Sequence, residues 1–189
     1  MPIARIWPSL LALFFVALGV FSAPLHAQSL QAVPALTAHV IDTTGTLDAG
    51  QKQALEAKLA ALEQAKGSQV VVLMVGTTQP EDIASYANRV GNSWKIGRKG
   101  VGDGLLLIVA KNDHRVRIEV AKTLEGAIPD LAASQIIEQA ITPAFRQGDY
   151  AGGLNAGADQ IIALINGEPL PAPAPRRAAG SGPGGFQWT

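Results

Sequence analysis

The spacing of apolar positions changes repeatedly along this chain, and each change marks an element. Leu55, Leu59 and Leu62 recur at i, i+4 and i+7 behind Asp48-Ala49-Gly50-Gln51. An acid followed three residues later by glutamine predicts a capping box at the helix start, and Gly67 is placed to stop the helix. Val70–Val75 is an unbroken apolar run, mostly β-branched, within Gln69–Val75; such a run predicts a strand covered on both faces. Helical spacing returns at Ile83, Tyr86, Ala87, Val90 and Trp94, and Pro80 suits the first turn of that helix. A second apolar strand, Leu105–Ala110, leads into the turn residues Lys111-Asn112-Asp113-His114. Val116, Ile118 and Val120 then alternate with Arg115, Arg117 and Glu119, which predicts a strand with one polar face, antiparallel to its predecessor.

Three shorter signals complete the pattern. His39-Val40-Ile41 reads as a short strand ending at Asp42. Asp130 caps a helix bearing Ile136, Ile137, Ala140 and Ile141, which Pro143 ends or kinks. Asp149 caps a last helix with Leu154, Ile161, Ile162 and Ile165, closed by Asn166-Gly167. Strands interleaved with helices predict an α/β fold: a three-layer α/β/α sandwich around a short mixed sheet.

The flanks read differently. Arg5 followed by the uncharged apolar run Leu10–Phe21, Pro24 and Ala27 has the form of a secretory signal, so residues 1–27 are expected to be removed and Gln28 to begin the exported chain. Extended back to Ile6, the same run would serve as an uncleaved anchor. Residues 28–37 form a lead-in, 38–167 the folded domain, and 168–189 a Pro/Gly-rich segment that reads as an extended linker.

Composition narrows the chemistry. Lys plus Arg number 15 against 15 Asp plus Glu, a balance that argues against nucleic acid as a partner, which needs a basic face. Cysteine is absent, so disulfides, thiolate metal sites and cysteine nucleophiles are excluded. The glycine-rich stretch Gly97–Gly104 lacks the Lys-Ser/Thr of a phosphate loop and precedes a strand rather than a helix, so the nucleotide reading fails. Its Asp103 could donate oxygen to a ligand. Asp42, Asp103, Glu125 and Asp130 all lie in connections beside strands, and four carboxylates from separate loops could supply a hard cation, Ca²⁺ or Mg²⁺. The bland reading makes them turn and cap residues. Arg117 and Glu119 share a strand face and read either as an anion and cation contact or as a solvated ion pair. His39 and His114 stand alone, with no Ser-His-Asp spacing.

An ordered set of motifs resembles the TPM-domain family: Trp94-Lys95-Ile96-Gly97, Gly102-Asp103-Gly104-Leu105-Leu106-Leu107-Ile108, Val116–Val120, Leu124-Glu125-Gly126, Asp130, Pro143–Arg146 and Gly148-Asp149-Tyr150. Val40-Ile41-Asp42 is similar to the family's N-terminal motif, and the run Leu124–Asp130 with the Pro-rich exit is closest in style to YgcG-like bacterial members. The resemblance implies an α/β/α sandwich outside the cytoplasm, on the periplasmic or extracytoplasmic side. It also implies a divalent-cation site near Asp42, Asp103, Glu125 and Asp130, with Arg117 close by. Plant relatives are thylakoid-lumen proteins linked to photosystem II repair. Calcium-bound acid phosphatase activity is attributed to some members, while others look like accessory proteins. Longer members imply membrane association. Two functions follow: an envelope accessory module that binds a cation or a partner protein, or a divalent-cation-dependent acid phosphatase. Whether the chain is an enzyme stays open between them. Ala121-Lys122-Thr123 stands where many members carry a glycine pair, which narrows the approach to the site.

Overall fold

The computed structural model describes residues 29–168, 170 and 186–188. The expected signal segment and most of the Pro/Gly-rich linker lie outside the described residues.

The sheet has five strands in the order β1-β2-β3-β4-β5. They are β1 (Val40–Asp42), β2 (Gln69–Val75), β3 (Gly104–Ala110), β4 (Arg115–Val120) and β5 (Phe186–Gln187). The first three run parallel, and β4 and β5 are antiparallel to their neighbours. Val70–Met74 and Leu107–Ala110 are wholly buried, because helices cover both faces. Helix α1 (Ala49–Lys66) joins β1 to β2, and its Leu55, Leu59 and Leu62 pack with Val70, Val72 and Met74. Helix α2 (Ile83–Trp94) joins β2 to β3 and packs Ile83, Tyr86, Ala87 and Val90 on Val71, Leu73, Leu106 and Ile108 of the other face. Both crossovers step the same way along the sheet while their helices lie on opposite faces. One of the two therefore has the uncommon left-handed sense.

Local signals explain most element ends. The capping box forms: Gln51 N–H donates to Asp48 Oδ1 at 2.8 Å, and the Gln51 side chain accepts from Asp48 N–H. Gly67 takes φ +77°, the left-handed stop that a side chain would oppose. Two expectations are corrected, and for Pro143 the kink rather than the stop holds. Pro80 does not enter the second helix; Asp82 caps it instead, accepting from Ala84 and Ser85 N–H. Asp130 is the first residue of α3 (Asp130–Ile136), whose cap position is Pro129, and makes no cap bond. Pro143 does not end the helical path, since one π-turn (Ile137–Ile141) carries it into α4 (Thr142–Phe145). The wide turn accommodates a residue with no N–H to donate.

Helix α5 (Tyr150–Ile165) crosses this kinked segment at its glycines. A Cβ at Gly153 would lie 2.7 Å from Phe145 ring carbons and 3.0 Å from the Ile141 carbonyl oxygen. At Gly91 on α2, by contrast, a Cβ would have nothing within 4 Å. Gly91→Ala should therefore raise stability by about 0.5–1 kcal/mol through helix propensity. Gly153→Ala should lower it by about 1–2 kcal/mol as overpacking exceeds the same gain. Urea unfolding of the two variants checks this; a Gly153→Ala protein as stable as the wild type would mean that α5 does not need the close approach.

Candidate functional site

The chain leaves the carboxyl ends of β1 and β2 toward opposite faces. In open α/β sheets this divergence opens the crevice where ligands bind. Asp42 ends β1 at this divergence. Its Oδ1 accepts from Thr44 N–H at 2.7 Å and from the Thr44 hydroxyl at 2.6 Å, and its Oδ2 accepts from Leu47 N–H at 2.8 Å. Burial favours the protonated acid, but these donors outweigh it and hold the carboxyl below its ordinary value. The polar path continues: Thr44 Oγ1 lies 2.6 Å from Thr46 Oγ1, and Lys111 Nζ donates to Thr46 Oγ1 at 2.9 Å. Lys111 Nζ also sits 5.1 Å above the Tyr150 ring. Beside them Asp113 closes the turn after β3 by accepting from the Thr77 hydroxyl at 2.7 Å and from Thr78 N–H at 2.8 Å.

The four carboxylates read from the sequence as a cation site do not gather at one point. Asp42 is level with Met74 and Val109 across the sheet, whereas Asp103 precedes β3. The six residues between those levels amount to about 20 Å along the strand. Asp103 is a buried structural anion. Its carboxylate accepts from Arg98 N–H at 2.8 Å and Nε at 2.7 Å, and Arg98 Nη2 lies 2.6 Å away. Burial works against its charge, but the Arg98 bonds win and its acidity increases. Glu125 lies exposed in the turn after β4, and Asp130 is exposed at the start of α3. Among the described residues, no group of three or more His, Asp and Glu stands close enough to hold a metal ion. These side chains therefore do not fit a resident Ca²⁺ or Mg²⁺ as one set.

Arg117 is level with Ile108 on β4, and its side chain faces the α2 side, away from Asp42. It donates from Nε to Glu119 Oε2 at 2.8 Å, with Nη2 at 2.7 Å. This is the ion pair of the blander reading. Glu119 also lines a shallow cleft with Asn88 and Asn92 of α2.

Two contacts were not legible as sites. His39 is clasped between two helix carboxylates, with Nδ1 2.7 Å from Glu56 Oε1 and Nε2 2.5 Å from Glu63 Oε2. Glu56 also accepts the N–H groups of His39 and Val40, so the edge strand is tied to α1. The available signal was the i, i+7 spacing of Glu56 and Glu63 beside a histidine-led strand. The second is Trp188. It is 3% exposed, stacked on His114 at 5.4 Å and edge-on to Phe145 at 5.1 Å. Only the aromatic residue ending a Gly-rich stretch hinted at it.

A doubly covered α/β sheet with this strand order defines the class. Residues 40–164 match the TPM domain, and the chain belongs to that family. No curated protein is significantly similar in sequence. Solved structures share its fold. The N-terminal domain of a protein from P. gingivalis is 28% identical with a TM-score of 0.64, covering 69% of this chain and 83% of that one. The N-terminal domain of cg2496 from Corynebacterium glutamicum is 14% identical with a TM-score of 0.56, covering 81% and 98%. The BA42 protein from the psychrophilic bacterium Bizionia argentinensis is 21% identical with a TM-score of 0.56, covering 64% and 82%. The last two likenesses are of fold alone.

The clasp generates a pH prediction. Burial favours neutral His39, but the hydrogen bonds and charges of Glu63 and Glu56 outweigh it, raising the folded value above 6.5. The stabilisation is then complete below that pH and is lost as pH rises through the folded value. The wild-type Tm should fall over that window, and His39→Gln should start lower and show a flatter profile. Parallel melting curves for the two proteins from pH 5.5 to 9 would remove the clasp from the account.

Proposed function

We propose that this TPM domain is an exported accessory module that acts by binding a partner protein rather than by catalysis. The observation that carries this reading is that the acidic side chains best placed by sequence for chemistry, Asp42 and Asp103, spend their oxygens on the protein's own donors. A carboxylate engaged in this way is a poor general base, because a base must reach the proton it removes. Export rests on the signal-like Met1–Ala27 segment, and N-terminal sequencing of the secreted product should begin at or near Gln28.

The second reading is an acid phosphatase. It is favoured by Lys111 at the crevice, a cation able to neutralise a phosphate oxygen, and by the family label, which includes the word phosphatase. Turnover of para-nitrophenyl phosphate between pH 4.5 and 7.5, with and without millimolar Ca²⁺ or Mg²⁺, separates the two. The accessory reading expects no turnover above that of a heat-inactivated control. Hydrolysis abolished by Asp42→Asn and by Lys111→Ala, in variants that still melt cooperatively, would replace it with the phosphatase reading.

A further inference from the structure

His39 is held in a way that a neutral imidazole cannot reproduce. Nδ1 lies 2.7 Å from Glu56 Oε1, and Nε2 lies 2.5 Å from Glu63 Oε2. A carboxylate only accepts, so both ring nitrogens donate and the ring carries its second proton. Its two partners are unequal. Glu56 also accepts from His39 N–H at 2.9 Å and from Val40 N–H at 2.7 Å, which engages both of its oxygens. Glu63 is partly exposed and, among the described residues, its side chain is tied to the ring alone. The other elements around the ring bring little charge. Residues 29–38 and β2 carry no charged residue. Asp42 on β1 is engaged by Thr44 and Leu47, and Lys58 on α1 is paired with Asp159. Lys52 and Lys66, toward the two ends of α1, are exposed.

When the ring loses a proton, one nitrogen becomes a bare lone pair facing a carboxylate. Glu56 cannot turn away without abandoning two main-chain N–H groups of the edge strand, and a partly buried donor left without an acceptor is costly. Glu63 can turn to water. The last turn of α1, which Glu63 begins, is in turn joined to the glycine loop. Gly67 N–H donates to Glu63 O at 2.7 Å, and a Cβ at Gly67 would lie 2.7 Å from the Arg98 guanidinium carbon. Just beyond, Gly97 N–H donates to Gln69 Oε1 at 2.9 Å. We propose that His39, Glu56 and Glu63 form a one-sided pH latch. As pH rises, Nε2 gives its proton to water, the ring keeps Nδ1–H on Glu56, and Glu63 swings free. The last turn of α1 then loosens against the Gly97–Gly104 loop while β1 stays tied. A domain read as exported takes the pH of its surroundings, and the latch sets how firmly that loop, with exposed Lys99 and Val101, is held. This device goes beyond the reading of the chain as a binding module and does not depend on it.

The test is NMR of the full chain between pH 5.5 and 9. Nitrogen shifts of the His39 ring should show both nitrogens protonated at the acid end and Nδ1 alone at the alkaline end. Across the same transition the backbone order parameters of Lys66 and Gly67 should drop below the value of about 0.85 typical of rigid backbone. Those of His39 and Val40 should hold, and their amide protons should keep the downfield shifts that report bonds to Glu56. Glu63→Gln should leave Val40 unchanged and remove the pH step at Lys66 and Gly67. A neutral ring protonated on Nε2 would overturn the latch, as would loss of the Val40 shift together with the motion of Gly67. A ring that keeps one charge state throughout, or one that titrates while Lys66 and Gly67 stay rigid, would also overturn it. None of these outcomes bears on partner binding or phosphate-ester turnover, so those readings stand or fall separately.

Discussion

Burial of β2 and β3 on both faces is the constraint from which the rest follows. Two parallel neighbours with no polar face cannot stand in water, and parallel strands need crossovers long enough to hold helices. α1 and α5 therefore cover one face and α2 the other. Because the crossovers part to opposite faces, the chain diverges at the carboxyl ends of β1 and β2, where Asp42, Thr44, Thr46 and Lys111 are linked by hydrogen bonds. The amino end of β3 carries the Arg98–Asp103 pair and, beside Gly104, the shallow cleft of Asn88, Asn92 and Glu119. The two ends of the sheet thus differ in kind, one built around a charge pair and the other carrying hydroxyls, Lys111 and Tyr150.

A sheet so covered still has two edges, and exposed edges invite unwanted pairing. On β1, Glu56 takes the N–H groups of His39 and Val40 and clasps the His39 ring with Glu63. On β4, segment 186–188 adds a short strand anchored by Trp188. The first edge is held by side chains of a covalently near helix and is a fixed part of the fold. The second is held by residues 186–188, with Trp188 buried.

Local rules were legible wherever a residue acts on its own neighbours. The Asp48–Gln51 box, the Gly67 stop, the antiparallel β3–β4 hairpin and the Asp149 cap all follow from spacing alone. Pro80 was misread, and Pro143 left open between a stop and a kink, because a proline signal marks a backbone preference without fixing which side of it the helix lies. The site was less legible because charges were assigned by loop position. Sequence puts Asp42 and Asp103 equally beside strands, but only the parallel register separates them by the length of β3. Arg98, five residues before Asp103, is folded back onto that carboxylate by the glycine turn, a contact that loop position does not reveal. His39 and Trp188 owe their partners to contacts 17 to 74 residues away in sequence, which no local pattern encodes.

Residue-resolved amide hydrogen exchange of the full chain tests the central claim most directly, since it reads the stability of each strand separately. The account predicts that amides of Val70–Met74 and Leu105–Val109 exchange only through global unfolding, with the denaturant dependence of the whole domain. The Trp188 amide should exchange through a local opening that is nearly independent of denaturant. Exchange of the β2 and β3 amides at the rate of Trp188, or of Trp188 only with global unfolding, would contradict a fixed, doubly covered core bearing an exchangeable edge strand.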